Sequence, residues 1–285
     1  MLIKTKQLKV LFGNIINKKM IDIEIPNALI TPNKHDKLNY DTLEGKIILG
    51  LLGYAKSGKD TITKIFVDDY GYHRVAFADN VKKEMNTYLK KQISQDIFEK
   101  SGIYLDPEKL DFFSEDIETK KLIRPYLIWY AEKMRTINGA FYWINRAFEE
   151  DGKDKDKIIL SDVRRLAELD IFKDSNEFKK RTQKTNAEAG VFEDSFKVKN
   201  FGTLLFEVNQ FGLKDSDQLT IDTILSAREQ WIIDDTFYVD SRLPENGNYR
   251  KKSIEVQVKK IASKFGIIKP EKHKYKQINI FNGSK

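Results

Sequence analysis

Residues 46–63 read KIILGLLGYAKSGKDTIT and combine an apolar run, a glycine-containing loop and the start of a helical pattern. The apolar residues 47–52 predict a short buried strand. The next seven residues, GYAKSGK from Gly53 to Lys59, fit the pattern GxxxxGK of a phosphate-binding loop. Apolar side chains then recur at helical spacing up to Gly71, a natural helix end. The order strand, loop and helix is the context in which this pattern binds phosphate.

The loop predicts two kinds of contact with a phosphate group. Glycine lets the backbone wrap closely around an oxyanion, and the amide groups at the start of the following helix point at it. Lys59 adds a mobile positive charge over β- and γ-phosphates. The alternative is a glycine-rich turn with a chance lysine, but the flanking strand and helix favour the functional interpretation. The predicted phosphate-binding residues are Gly53, Lys56, Ser57, Gly58, Lys59, Asp60 and Thr61.

The position after Lys59 departs from the usual pattern, which has Ser or Thr there to reach Mg²⁺. This chain has Asp60 at that position, followed by Thr61. A carboxylate can hold Mg²⁺ directly or through water, because hard cations bind oxygen ligands. In the other interpretation the loop is shifted and Thr61 supplies the hydroxyl. The sequence does not decide between these two metal ligands.

A second candidate site lies at the end of the run KIILSD, residues 157–162, which predicts a strand that ends in Asp162. In an open α/β sheet, ligands bind at the carboxyl ends of strands, so this carboxylate is placed to hold Mg²⁺ or its water. Arg164 and Arg165 follow directly, within reach of phosphate oxygens. An ordinary turn at the strand end is the alternative, and the upstream loop favours the functional interpretation.

Composition restricts the class of protein. The 285 residues, 40% of them hydrophobic, suffice for one large α/β domain with additions. No run has the apolar length of a membrane span, and the N-terminus MLIKTKQLKV has no apolar signal core, so we expect a cytoplasmic protein without membrane contact. The lack of cysteine excludes disulfides and thiolate metal sites. The formal net charge is +7, but the lysines are mixed with acids, so we do not expect a nucleic-acid partner.

The pattern along the chain predicts an α/β core with a mostly parallel sheet flanked by helices, over residues 46–268. Residues 1–45 are interpreted as an accessory β-rich extension, because short strands are suggested by Leu8, Val10, Leu11 and Ile15-Ile16, and then by Ile21, Ile23 and Ile25. An insertion is predicted at about 173–202 and a polar tail at 269–285. Pro125 predicts the first turn of a helix, where its missing amide costs nothing.

Four segments, in this order, resemble the phage-type deoxynucleoside monophosphate kinases. They are the loop GYAKSGKDT, then Phe77-Ala78-Asp79 with Lys82 after it, then residues 124–143 ending in FYW, and then Ser161-Asp162-Val163-Arg164 with Glu168 beyond. Together they cover roughly residues 46–172. The resemblance implies a P-loop kinase fold and transfer of phosphate from ATP to a deoxynucleoside monophosphate, with Mg²⁺.

The resemblance also implies roles for individual residues. The acceptor would bind within residues 77–145, and a lid-like segment would lie at about 210–232, with Arg228 as the candidate lid arginine. Phosphoryl transfer needs cationic groups where oxyanion charge develops. The expected catalytic residues are Lys59, Arg124, Arg135 and Arg164. The expected acceptor-binding residues are Asp79, Lys82, Arg124, Arg135 and Arg164, and the expected metal ligands are Asp60, Thr61 and Asp162.

Arg124 and Arg135 provide one geometric constraint. Eleven residues apart on a helix, they would share a face but lie about 16 Å apart along the axis. The two arginines cannot both bind the same phosphate group, so one of them is expected to contact the sugar, the base or the ATP side.

Two alternative functions stay open at this point. The first is a P-loop kinase for another small acceptor, such as dephospho-coenzyme A or a nucleoside. The second is a nucleotide- or nucleic-acid-binding protein without kinase activity. Whether the chain forms a homodimer also stays open.

Overall fold

The computed structural model describes residues 21–173, 202–210, 218–240 and 248–270. Within these ranges the strands are β1 (Ile47–Leu52), β2 (His73–Val75), β3 (Lys157–Val163), β4 (Gly202–Gln210) and β5 (Ile233–Val239). The helices are α1 (Lys59–Tyr70), α2 (Phe77–Tyr88), α3 (Lys90–Ser101), α4 (Ile117–Asn138), α5 (Tyr142–Glu150), α6 (Gln218–Glu229) and α7 (Asn248–Lys264). Short 3-10 helices lie at Asn27–Leu29, Tyr40–Thr42 and Leu166–Leu169.

The described strands form one parallel sheet in the order β2-β3-β1-β4-β5. The central strand β1 is buried on both faces, as its unbroken apolar sequence predicts. Ile48 and Leu52 pack in a larger core with residues of α2, α4 and α5, whereas Leu49 and Leu51 pack in a second core with α1 and α7. The α/β class and the parallel sheet flanked by helices are therefore confirmed.

The sheet topology determines where a ligand can bind. From β1 the chain crosses to β2 at one edge of the sheet, and from β3 it crosses β1 to reach β4 on the other side. The strand order therefore reverses around β1, and open parallel sheets bind ligands outside the carboxyl ends of the strands at such a point. The loop after β1 and the end of β3 both lie there.

The N-terminal segment differs from its prediction in its described part, because residues 21–45 contain no strand. Ile21, Ile23 and Ile25 are buried in the larger core and alternate with exposed Asp22 and Glu24. The alternation thus indicates burial correctly. The β-rich description is wrong for residues 21–45, because the extended backbone packs on the core without joining the sheet.

Two buried asparagine side chains attach this segment to the corner between α4 and α5. Asn138 accepts a hydrogen bond from the amide of Thr31 at 2.6 Å and donates to the carbonyl of Leu29 at 2.9 Å. Asn145 accepts one from the amide of Asn39 at 2.9 Å. The backbone groups of Leu29, Thr31 and Asn39 that are bound in this way need no strand partner.

The start of α4 also differs from its prediction. The helix begins at Ile117, and the carboxylate of Asp116 caps it by accepting a hydrogen bond from the amide of Thr119 at 2.7 Å. Pro125 therefore lies inside the helix, and its placement in a first turn is wrong. The aspartate cap fixes the start of the helix, and the buried side chains on both sides of the proline, such as Ile123 and Tyr126, hold the helix together through it.

Several predicted segments lie wholly or largely outside the described residues. These are residues 1–20, residues 174–201 of the insertion, residues 211–217 of the lid-like segment and residues 271–285 of the tail. The domain boundaries stay predictions. None of the helices in the described ranges combines the length and the apolar character that crossing a membrane requires.

Candidate functional site

Both glycines of the loop between β1 and α1 are required by backbone geometry. The loop passes so close to β4 that a Cβ on Gly53 would lie 2.5 Å from the carbonyl oxygen of Val208. Gly58 is the N-cap residue of α1 and has a φ of 106°, a conformation that residues with a side chain rarely adopt. Lys56 also has a positive φ, at 64°. When a turn alternates between right-handed and left-handed backbone conformations, its successive amides point into a common concave surface that binds anions.

Lys59 is the first residue of α1, and its ammonium group lies inside the loop. Its Nζ donates hydrogen bonds to the carbonyl oxygens of Gly53 at 2.6 Å and Tyr54 at 2.5 Å, and the residue is only 5% exposed. The positive charge is therefore held at the centre of the loop by the backbone that surrounds it. Ser57 is also buried in the loop. Its hydroxyl has no hydrogen-bond partner among the described residues.

A pocket of about 240 Å³ opens in front of this loop. It lies between the first turns of α1 and α2 and is closed on a third side by the end of β3. Eight of the predicted site residues line it: Lys56, Gly58, Lys59, Asp60, Asp79, Lys82, Asp162 and Arg164. The fold therefore brings together residues that lie more than a hundred positions apart in the sequence.

Asp162 joins the end of β3 to the start of α2. Its Oδ1 accepts a hydrogen bond from the amide of Phe77, and its Oδ2 accepts one from the amide of Ala78, both at 3.2 Å. Removal from water raises the pKa of Asp162, while the two amides and the Arg164 guanidinium act in the opposite direction. The carboxylate is thus fixed in orientation and faces the pocket, and each oxygen keeps a second lone pair.

The pocket favours one of the two candidate metal ligands in the loop. Asp60 is exposed and lines the pocket, whereas Thr61 lies outside the lining set. Mg²⁺ is commonly held by one or two carboxylates together with substrate phosphates and water, and Asp60 and Asp162 fit that requirement. In the described part of the chain, no three His, Cys, Asp or Glu residues are grouped so that they alone could hold a metal.

Glu168 lies on the short 3-10 helix after β3 and fixes the backbone at the edge of the pocket. Its Oε2 accepts hydrogen bonds from the amides of Arg164 at 2.6 Å and Arg165 at 3.0 Å, which fixes the backbone that carries Arg164. Burial, together with the nearby charge of Asp162, raises the pKa of Glu168 to about 7. The side chain therefore gains its negative charge near neutral pH.

Arg74 on β2 is a pocket residue that the sequence analysis missed. Its Nη1 donates a hydrogen bond to Oδ2 of Asp79 at 2.6 Å, and Nζ of Lys82 lies 3.7 Å from the other carboxylate oxygen. Asp79 thus holds two cationic side chains at the rim of the pocket. The sequence signal that could have found Arg74 is its place five residues before Asp79, on the segment that leads into α2.

The two predicted arginines of α4 do not line the pocket. Arg135 is largely buried and pairs with Glu132 at 3.2 Å, and the same carboxylate also binds Arg165 at 2.7 Å. Burial lowers the pKa of Arg135. Arg124 is exposed on α4. Their roles in binding the acceptor stay predictions that the geometry of the pocket does not support.

The candidate lid arginine has a partner in the sheet. Arg228, near the end of α6, donates from Nε to Oε2 of Glu207 on β4 at 3.0 Å, and its Nη2 binds the other carboxylate oxygen. Glu207 is buried, so this bidentate pair connects α6 to β4. Arg228 is not among the residues that line the pocket.

The completed site has cationic and acidic side chains around a small volume. The five cationic lining residues are Lys56, Lys59, Arg74, Lys82 and Arg164, and the three carboxylates are Asp60, Asp79 and Asp162. Such a set can bind phosphate groups and a divalent cation at the same time. Neither a protein-family model nor a curated protein sequence matches the chain. The functional interpretation therefore rests on these residues and their geometry.

Proposed function

We propose that the protein is a kinase that transfers the γ-phosphate of ATP to a (deoxy)nucleoside monophosphate. The observation that carries this proposal is the pocket that the loop shares with Arg74, Lys82 and Arg164. A phosphate-binding loop alone is compatible with many nucleotide-binding proteins. Further cations on the opposite side of the same pocket favour a second phosphate facing the first.

The size of the pocket agrees with this division of roles. Its volume of about 240 Å³ is below the range of roughly 300–1,000 Å³ that is usual for whole small-molecule sites. It is therefore suited to the phosphate groups of two nucleotides, with their sugars and bases extending beyond it.

On the donor side, the amides of the loop and of the first turn of α1 bind the β- and γ-phosphates of ATP. The ammonium of Lys59 leaves its contacts with the Gly53 and Tyr54 carbonyls when a triphosphate offers it charged oxygens. Asp60 and Asp162 would hold Mg²⁺ or its bound water. The metal ion would supply charge neutralisation between the β- and γ-phosphates.

On the acceptor side, Arg74, Lys82 and Arg164 bind the phosphate of the monophosphate and orient one of its oxygens toward the γ-phosphorus. That oxygen forms the new bond, the bond from the γ-phosphorus to the β–γ bridging oxygen breaks, and ADP leaves. The acceptor phosphate is already a competent nucleophile, so the reaction requires no strong general base. The chain's contribution is positioning and positive charge.

A panel of acceptors tests this proposal. The protein is incubated with ATP, Mg²⁺ and one acceptor at a time, and ADP release is followed in a coupled assay. The panel contains the deoxy- and ribonucleoside monophosphates, a nucleoside and dephospho-coenzyme A. ADP release that depends on a monophosphate supports the proposal. If ADP is released only with a nucleoside or with dephospho-coenzyme A, that compound replaces the monophosphate as the proposed acceptor. If ADP is released with none of them, the proposed kinase activity is refuted.

A further inference from the structure

The turn at residues 111–113, between α3 and α4, is fixed to α2 by one side chain. Asn86 of α2 donates from Nδ2 to Oδ1 of Asp111 at 2.9 Å and accepts a hydrogen bond from the amide of Phe112 at 3.1 Å. Phe112 is buried in the larger core. The next residue, Phe113, donates its amide to the same oxygen of Asp111 at 2.9 Å, and its side chain is left at the surface, 37% exposed.

Lys82 connects this exposed ring to the pocket. Its Nζ lies 3.7 Å from a carboxylate oxygen of Asp79, which lines the pocket, and 5.1 Å from the centre of the Phe113 ring. The ammonium group of Lys82 therefore lies between the Phe113 ring and the pocket and contacts both. A mononucleotide has the same layout, because a sugar separates its phosphate from its base.

We propose that Phe113 is the surface on which the nucleobase of the acceptor stacks. The inference rests on the proposed function, since it gives the acceptor's base a place beside the phosphate pocket. Single exposed hydrophobic residues are common and need no explanation. Phe113 differs because its turn is held by three hydrogen bonds and its ring faces a cation of the pocket.

Binding of the base exchanges one contact for another. In the structure the ammonium of Lys82 lies over the Phe113 ring. A cation and an aromatic ring at an exposed site attract each other more weakly than a base and an aromatic ring that stack. The base therefore replaces the ammonium on the ring, and Lys82 becomes available to the acceptor phosphate. Stacking of this kind accepts every base, so Phe113 contributes affinity for nucleotides without selecting one base.

Equilibrium binding measured by calorimetry tests this inference without relying on turnover. The ligands are the four deoxynucleoside monophosphates and 2-deoxyribose 5-phosphate, which has the same phosphate and sugar but no base. Phe113→Ala is expected to lower the affinity for the monophosphates about tenfold. The affinities for 2-deoxyribose 5-phosphate and for ATP should stay within about twofold of the wild-type values. Phe113→Trp keeps an aromatic surface and is expected to retain the affinity. The matched control is Phe98→Ala, which removes an exposed ring on α3 that contacts the ring of Tyr104.

Three results with the Phe113→Ala variant would overturn the inference. Equal losses for the monophosphates and 2-deoxyribose 5-phosphate would mean that Phe113 acts through the phosphate pocket and not on the base. A loss of ATP affinity instead would place the ring on the donor side, and no loss at all would leave it without a role. A wild-type protein that binds monophosphates but releases no ADP would refute the proposed function alone. One that binds no monophosphate would refute both.

Discussion

The two sides of the pocket are built in different ways. The proposed donor side is one continuous stretch, from Gly53 to Lys59, formed by the loop after β1 and the first residue of α1. The proposed acceptor side is assembled from three separate elements, because Arg74 comes from β2, Lys82 from α2 and Arg164 from the residue after β3. A local motif carries its own geometry, whereas the second side exists only once the sheet order is set. The variants below test this contrast.

The largest effect is expected on the donor side, for Lys59→Ala. Loss of the ammonium that neutralises phosphate charge should lower kcat about a thousandfold or more. The control is Lys64→Ala, which removes an exposed lysine of α1 that pairs with Asp68, and it should keep full turnover. Steady-state kinetics and a thermal melt of each variant provide the comparison. Near-normal turnover in a folded Lys59→Ala protein would contradict the donor assignment.

Asp162→Asn tests the residue at which the two sides meet. The substitution removes the negative charge and one of the two oxygens that bind the α2 amides. We expect kcat to fall about a hundredfold and the Mg²⁺ concentration for half-maximal activity to rise. Asp151→Asn is the matched control, since Asp151 also contacts α2 through Asn80 and Lys83. An unchanged Mg²⁺ requirement would remove Asp162 from the metal site.

Glu168→Gln tests, through the pH dependence of stability, the side chain that fixes the backbone after β3. The folded-state pKa of Glu168, about 7, lies above its ordinary value of 4.5. Between these values the folded state holds a proton that the unfolded state has released. The free energy of unfolding should therefore decrease as pH rises from 4.5 to 7, by at most about 3 kcal/mol. The glutamine variant should show a smaller decrease, measured by chemical denaturation across this range.

Glu108→Gln, at an exposed position, is the control for that experiment and should follow the wild type. Equal slopes in the wild type and Glu168→Gln would mean that Glu168 keeps the same pKa in both states.

The smallest effect separates two candidate acceptor arginines. Arg74 lines the pocket and Arg124 is exposed outside its lining set. Arg74→Gln should raise the KM for the acceptor about tenfold without changing the KM for ATP, whereas Arg124→Gln, which removes the same charge, should change either KM less than about threefold. Initial rates at varied acceptor and ATP concentrations measure both. The reverse order would show that Arg124 reaches the acceptor during turnover.

The same contrast explains what the sequence could predict. The loop and the end of β3 were predicted because each combines an apolar strand with chemistry in the next few residues. Arg74 was missed because its importance depends on Asp79 across the start of α2. Arg124 and Arg135 were assigned by resemblance and helical spacing, but the carboxylate of Glu132 pairs with Arg135 outside the pocket.

The fold shows a parallel limit of sequence patterns. The pattern of Ile21, Ile23 and Ile25 predicted a strand, and the three side chains are buried, but the pairing of backbone groups depends on what lies beside them. Further along the segment, Asn138 and Asn145 at the corner between α4 and α5 bind backbone groups of Leu29, Thr31 and Asn39 in place of a strand. Periodicity therefore indicated the buried face and could not indicate the partner.

Phosphorus NMR of one reaction mixture tests the central claim most directly. The wild-type protein is incubated with ATP, Mg²⁺ and the deoxynucleoside monophosphate that gives the fastest ADP release. The proposed transfer predicts that ADP and the deoxynucleoside diphosphate appear in equal amounts while ATP and the monophosphate disappear together. ATP loss that yields inorganic phosphate, with the monophosphate signal unchanged, would contradict it.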